Sequence, residues 1–184
     1  MKQIIMGFSI LFLLVSLTGR ISGANQSKKT HFRVPRVESG IKADGILDEK
    51  IWEQALKLDI KYEVRPAENI PAPVKTDVLV AYNRTHLFIG FRAYDPDPSK
   101  VRATLSDRDR IRGDDWVMFL IDTFNDERRS YCFMSNPLGV QSDFVEINGS
   151  EGGSWDAIWD SGGRVTEWGY AVEMSIPFSS LRFQ

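Results

Sequence analysis

The side chains of this chain that could do chemistry gather between positions 107 and 160. Trp155 and Trp159 stand four residues apart, so on an extended strand they would share one face, about 13 Å apart. Exposed, such a pair offers flat apolar faces on which a hydroxyl-bearing ring can stack. Turned inward, it fills a core, as aromatic side chains usually do. Their neighbours Asp156 and Asp160 would then point the other way. Asp107, Asp109, Asp114 and Asp115 are interleaved with Arg108, Arg110 and Arg112. Carboxylates and guanidinium groups at that density can bind hydroxyls in pairs or hold a hard cation such as calcium. They can equally form a solvated, salt-bridged loop. Gln141 and Asp143 fall on one face of a predicted strand near Asn136, which suits hydroxyl recognition and an ordinary solvent face alike. The candidate ligand-binding set is therefore Trp155, Trp159, Arg112, Asp114, Asp115, Asn136, Gln141 and Asp143.

These residues need a scaffold, and the pattern around them is that of strands. Residues 116–121 read Trp-Val-Met-Phe-Leu-Ile, an apolar run too short for a confident helix and rich in strand formers, which suits a strand covered on both faces. A second apolar run spans 131–134. Asn136-Pro137-Leu138-Gly139 then supplies type I turn chemistry before a third run at 140–147. Three consecutive antiparallel strands follow from that order. Residues 77–82 and 87–93 predict a hairpin, and residues 162–166 and 170–176 predict another. In the last, Tyr170, Val172, Met174 and Ile176 alternate with Ala171, Glu173 and Ser175, the mark of a half-buried strand. Weaker strand patterns cover 31–37 and 58–64, and residues 65–74, with three prolines, read as an irregular loop.

One helix is expected. Asp44-Gly45 is a turn pair, and Asp48 is placed to cap a helix of about two turns over 48–57. Leu47 and Trp52 are spaced for a hydrophobic staple across that start. Eight to ten short strands, one small helix and no βαβ rhythm predict an all-β antiparallel sandwich, jelly-roll-like, plugged at one end by the helix.

Composition narrows the function. The chain has 184 residues, 42% of them hydrophobic, enough for one domain with a real core. Residues 1–24 carry a basic start at Lys2, an apolar run and Ser22-Gly23-Ala24, the pattern of a secretory signal peptide. Export is expected, to the periplasm, the outer membrane or the medium. Without Lys2 and Arg20, 21 basic residues face 25 acidic ones, a net charge of −4. That balance, with no basic block, gives no footprint for nucleic acid. Cys132 is the single cysteine, so an intramolecular disulfide is excluded and a small buried hydrophobe is expected. No nucleophile elbow, phosphate loop or zinc spacing occurs. No catalytic residue is predicted, and no cofactor beyond the calcium already considered.

Four segments in register resemble family 9 carbohydrate-binding modules: Asp44-Gly45 through Trp52 to Ala55, the hairpin ending at Phe91, the acid-pair strand ending at Asp122, and Gly169-Tyr170 through Glu173 to Pro177. Asn136 to Gln141, together with Trp155 to Asp160, resembles one branch of that family. In that branch the module opens long bacterial proteins whose remainder resembles an outer-membrane β-barrel. The likeness covers roughly residues 34–184, with 25–33 as a polar leader, and implies the first domain of a longer chain. It implies a non-catalytic β-sandwich that holds a glycan between aromatic side chains, with calcium in some members, and that serves carbohydrate catabolism. Two departures bear on the site. Met118 stands where sugar-binding members carry Glu, and Ile111, Arg112 and Gly113 stand where an aromatic is expected. Two functions follow as expectations: recognition of a glycan or oligosaccharide through exposed aromatics and the polar cluster, or structural packing against an outer-membrane β-barrel of the same longer chain.

Overall fold

The computed structural model describes residues 31–63, 70–152 and 155–183. The expected signal peptide, most of the polar leader and residues 64–69 of the expected proline-bearing loop lie outside them. Element order begins with α1 (Ile51–Gln54), β1 (Leu56–Asp59), β2 (Tyr62–Glu63), β3 (Ile70–Pro71), β4 (Thr76–Tyr82) and β5 (His86–Tyr94). It continues with β6 (Val117–Ile121), β7 (Arg129–Ser135), β8 (Gln141–Ile147), β9 (Ser150–Gly152), β10 (Asp160–Thr166) and β11 (Gly169–Pro177). A five-stranded sheet in the order β1-β4-β5-β11-β10 faces a four-stranded sheet in the order β6-β7-β8-β9, and β2 and β3 form a separate ribbon. Every ladder is antiparallel. The all-β sandwich with one short helix is therefore what the chain adopts.

The alternation of each strand explains how the sheets meet. Val78, Val80, Ile89, Phe91, Val172 and Met174 point from the larger sheet, and Val117, Phe119, Phe133 and Val145 from the smaller, into one cluster. The turn Asn136-Pro137-Leu138-Gly139 forms as its residue types require. Gly139 N–H donates to the Asn136 carbonyl at 3.0 Å, and Gly139 adopts φ +82°, a conformation glycine takes without steric cost.

Three expectations are corrected. The strand β11 is buried on both faces rather than one, because a second apolar cluster of Val37, Leu47, Ile51, Trp52, Leu79, Phe88 and Ala171 covers its other side. The helix is one turn, with Lys50 at its N-cap and no side-chain cap, so Asp48 does not cap it. It stops early because Leu56 to Asp59 pair with Val80 to Asp77 at the sheet edge; tertiary pairing overrides helix propensity. Residues 31–37 contribute only a single bridge, Arg36 to Tyr82.

The segment over β11 is fitted to glycines. On β5 and β10, Gly90 and Gly162 flank Glu173 in register. A methyl at Gly90 would stand 2.5 Å from Leu47 Cδ2, and one at Gly162 would stand 2.3 Å from the Ala43 carbonyl. Leu47 itself takes φ +58°, which costs a non-glycine residue roughly 1–2 kcal/mol. Burying a leucine side chain contributes about 1.5–3 kcal/mol, so the packing outweighs the strain.

Candidate functional site

The expected exposed tryptophan pair is not found. Residues 155–159 precede β10 and form no strand. Trp159 is only 4% exposed, and Trp155 is half-buried. Phe133 receives both, with ring centroids 5.6 Å from Trp155 and 5.3 Å from Trp159, edge to face, and Trp155 also meets Tyr131 at 4.7 Å. The pair does converge, but onto a core phenylalanine. Trp159 thus has no free face to offer a ring, while Trp155 keeps a partly open one.

The polar residues sort into two groups. In the first, Asp114 accepts from Thr104 N–H at 3.0 Å, Thr104 Oγ1 at 2.9 Å and Asn136 Nδ2 at 2.8 Å. The Asn136 side-chain oxygen accepts from Leu138 and Val140 N–H at 3.0 and 2.9 Å. Asp115 accepts from Arg102 N–H at 2.8 Å and meets the Arg102 guanidinium at 3.4 Å. These acids and the amide pin loop 102–104 to the turn after β7. Asp115 also lines a small cleft of about 60 Å³ beside Thr76, Asp95 and Tyr170. Burial, and then Asp115 and Asp95, lift the Tyr170 phenol above its ordinary range. Arg112 stands apart from this group. It pairs with Glu151 and lies over the Phe144 ring, 5.6 Å from its centroid.

The second group centres on Arg108. Gln141 and Asp143 share a face, as expected, and that face turns inward. Arg108 Nη1 donates to Gln141 Oε1 at 2.9 Å, and Nη2 donates to Asp143 Oδ1 and to the Ala157 carbonyl, the latter at 2.8 Å. Gln141 Nε2 donates to the Trp159 carbonyl at 2.8 Å, and Ala157 N–H donates to Asp143 Oδ2 at 2.6 Å. Burial lifts the Asp143 carboxyl above its usual range, against the opposing pull of Ala157 N–H and Arg108. The guanidinium is held rigid on its inner side and remains about a third exposed. Its Nε is buried and makes no hydrogen bond, and the Asp109 and Asp156 carboxylates each stand 3.9 Å from it. Asp156 is 77% exposed. A fixed guanidinium between two solvent-facing carboxylates can donate to and accept from vicinal hydroxyls at once. Among the described residues, no group of three or more histidines, cysteines or acids is arranged to hold a metal ion.

Sequence reasoning named Arg108 and Asp109 in the polar cluster and Asp156 beside the tryptophans, but left all three out of the candidate ligand-binding set. The signal available was the inward parity of Gln141 and Asp143, which demands a buried cationic partner. It missed Glu173 entirely. That residue is fully buried on β11 and reads in the sequence as the polar half of an alternating strand.

No protein-family model matches this chain, and no curated protein does. Solved structures of similar fold include a candidate carbohydrate-binding protein from Bacteroides uniformis, with TM-score 0.54 and 17% identity over 80% of this chain and 72% of that one. They also include a family 9 carbohydrate-binding module from Caldicellulosiruptor kristjanssonii in complex with cellotriose, with TM-score 0.51 and 16% identity over 79% and 67% of the two chains. The glucose complex of a family 9 module from the same organism gives TM-score 0.51 and 17% identity over 83% and 72%. At these identities the likeness is one of fold: the chain is a β-sandwich like that of family 9 carbohydrate-binding modules.

Proposed function

We propose that the domain is a non-catalytic carbohydrate-binding module whose glycan contacts the rim formed by Arg108, Asp109 and Asp156 beside Trp155. The observation that carries this reading is the Arg108 guanidinium. It is immobilised by Gln141, Asp143 and Ala157, yet its side chain stays about a third exposed, and two carboxylates flank it. In this reading Gln141, Asp143 and the Trp159 backbone position the guanidinium, and the half-open Trp155 supplies the stacking surface. Arg112, Asp114, Asp115 and Asn136 serve the surrounding loops. The signal-peptide pattern of residues 1–24 supports export to the periplasm or cell surface, where a glycan-binding module would serve carbohydrate catabolism. Titration of cello-oligosaccharides and a glycan array against the chain tests it. Binding that Asp156→Ala weakens at least about tenfold, without a change in melting temperature, supports the rim.

A second reading has its own observation. Met118, Leu120, Cys132, Met134 and Phe144 occupy the face of the four-stranded sheet opposite the core, and Met118, Leu120 and Phe144 are only half-buried. An apolar outer face suits a domain that packs on an outer-membrane β-barrel of the same longer chain. Co-purification of the chain with such a barrel, lost on Phe144→Asp, would favour it over glycan binding.

A further inference from the structure

Outside the rim, the strongest cluster of titratable groups lies beneath residues 37–55. Glu173 Oε2 accepts from Asp44 N–H at 3.0 Å and Gly45 N–H at 2.8 Å, and its Oε1 accepts from Trp52 Nε1 at 2.9 Å. The same indole N–H is 3.0 Å from Glu49 Oε2. One donor is therefore shared by two carboxyl groups, which it holds against one another. Among the described residues no cation forms an ion pair with either carboxylate. Lys42 gives Glu49 only its backbone N–H, at 2.9 Å, and sends its ammonium to Asp44 at 3.4 Å. On the sheet, the strands flanking Glu173 present glycines at Gly90 and Gly162. Charged residues on the same face are Asp160 and Arg164 of β10, Arg92 of β5, Asp77 of β4, and Lys57 and Asp59 of β1. None of these makes a hydrogen bond or ion pair with Glu173, and Asp77 is taken by Lys57 and Lys75. Lys50 and Glu53 of the helix region are exposed.

We propose that residues 37–55 form a proton-gated latch, docked on the five-stranded sheet while the Glu49–Glu173 pair holds one proton and loosened when both are ionised. With one proton present, the pair can bond internally and still accept from the indole and the two backbone N–H groups. Loss of that proton to solvent leaves two anions sharing one N–H, Glu173 fully buried and Glu49 partly so, and like charges at that range repel. The segment is the element free to move, because it is irregular apart from one helical turn and contains the strained Leu47. Its departure would uncover Leu79, Ala81, Phe88 and Ala171, the sheet side of the second apolar cluster. Burial first, then Glu49, push the Glu173 carboxyl up to about 7, which sets the range in which the latch would respond.

Amide hydrogen exchange of the whole chain, corrected for intrinsic rates, tests this between pH 5.5 and 8.5. Protection of the Asp44 and Gly45 amides is expected to fall at least about tenfold across that range, as one unit of linked pKa shift requires. Amides shared between β4 and β5 should hold their protection. Glu49→Gln removes the repelling partner and should flatten the fall while the domain stays folded; Glu173→Gln, if it folds, should flatten it too. Wild-type protection that is constant or rises with pH would overturn the latch. So would a fall of the same size in Glu49→Gln.

Discussion

Two charged side chains, Arg108 and Glu173, do the same mechanical job on different sheets of the sandwich, and their difference is one of charge compensation. Each fastens an irregular segment to a sheet: Arg108 fixes residues 155–159 to the edge of β8, and Glu173 fixes the turn at Asp44 and Gly45 to β11. Arg108 meets its opposite charge in Asp143, and its side chain still reaches solvent. Glu173 is sealed, and only N–H dipoles and a neighbouring acid face it. A compensated charge at a rim can receive a ligand without first paying for a proton. An uncompensated one in a closed site is set by protonation instead.

Variants that break this contrast should rank by what they leave buried. Trp159→Ala removes the ring beneath the Arg108 segment and should cost about 3–5 kcal/mol in denaturant unfolding, the range for a buried tryptophan. A near-zero loss would mean the indole is not part of the core. Arg108→Ala leaves Asp143 buried without its partner. About 3 kcal/mol is expected, the low end for a broken buried pair because the guanidinium is partly exposed. Glu173→Gln keeps the shape and loses acceptor capacity, for roughly 1–3 kcal/mol, and it should change the pH profile more than the total. Folded Glu173 keeps a proton up to about pH 7, whereas the unfolded group loses it near 4.5. Wild-type stability should therefore decline as pH rises from about 4.5 through 7, the folded state binding more protons there. The variant should lose that slope. Asp48→Ala should be smallest, within about 0.5 kcal/mol, because Asp48 caps nothing. A loss near 1 kcal/mol would restore the expected cap.

The fold was legible where apolar runs of strand length are separated by unambiguous turn chemistry. The hairpins at Asn83 and at Asn136 to Gly139, and the meander β6-β7-β8, are read directly from apolar runs and turn residues. The strand β11 misleads because Ala171, Glu173 and Ser175 look like a solvent face, while the partner that covers them lies some 130 residues earlier. The helix misleads for a related reason: its capping pattern is local, but β1 captures residues 56–59 first. At the site, a four-residue spacing predicts a shared direction for Trp155 and Trp159 without saying toward what. Phe133 on β7 decides it.

Glycan binding at the Arg108 rim is the central claim, and calorimetric titration of the chain and its Asp156→Ala variant with cello-oligosaccharides and array-selected glycans tests it most directly. Asp156 is solvent-facing, so its loss should leave the melting temperature unchanged and weaken binding at least about tenfold, or roughly 1.4 kcal/mol. No binding by the parent chain to any glycan, or equal binding by parent and variant, would contradict the account.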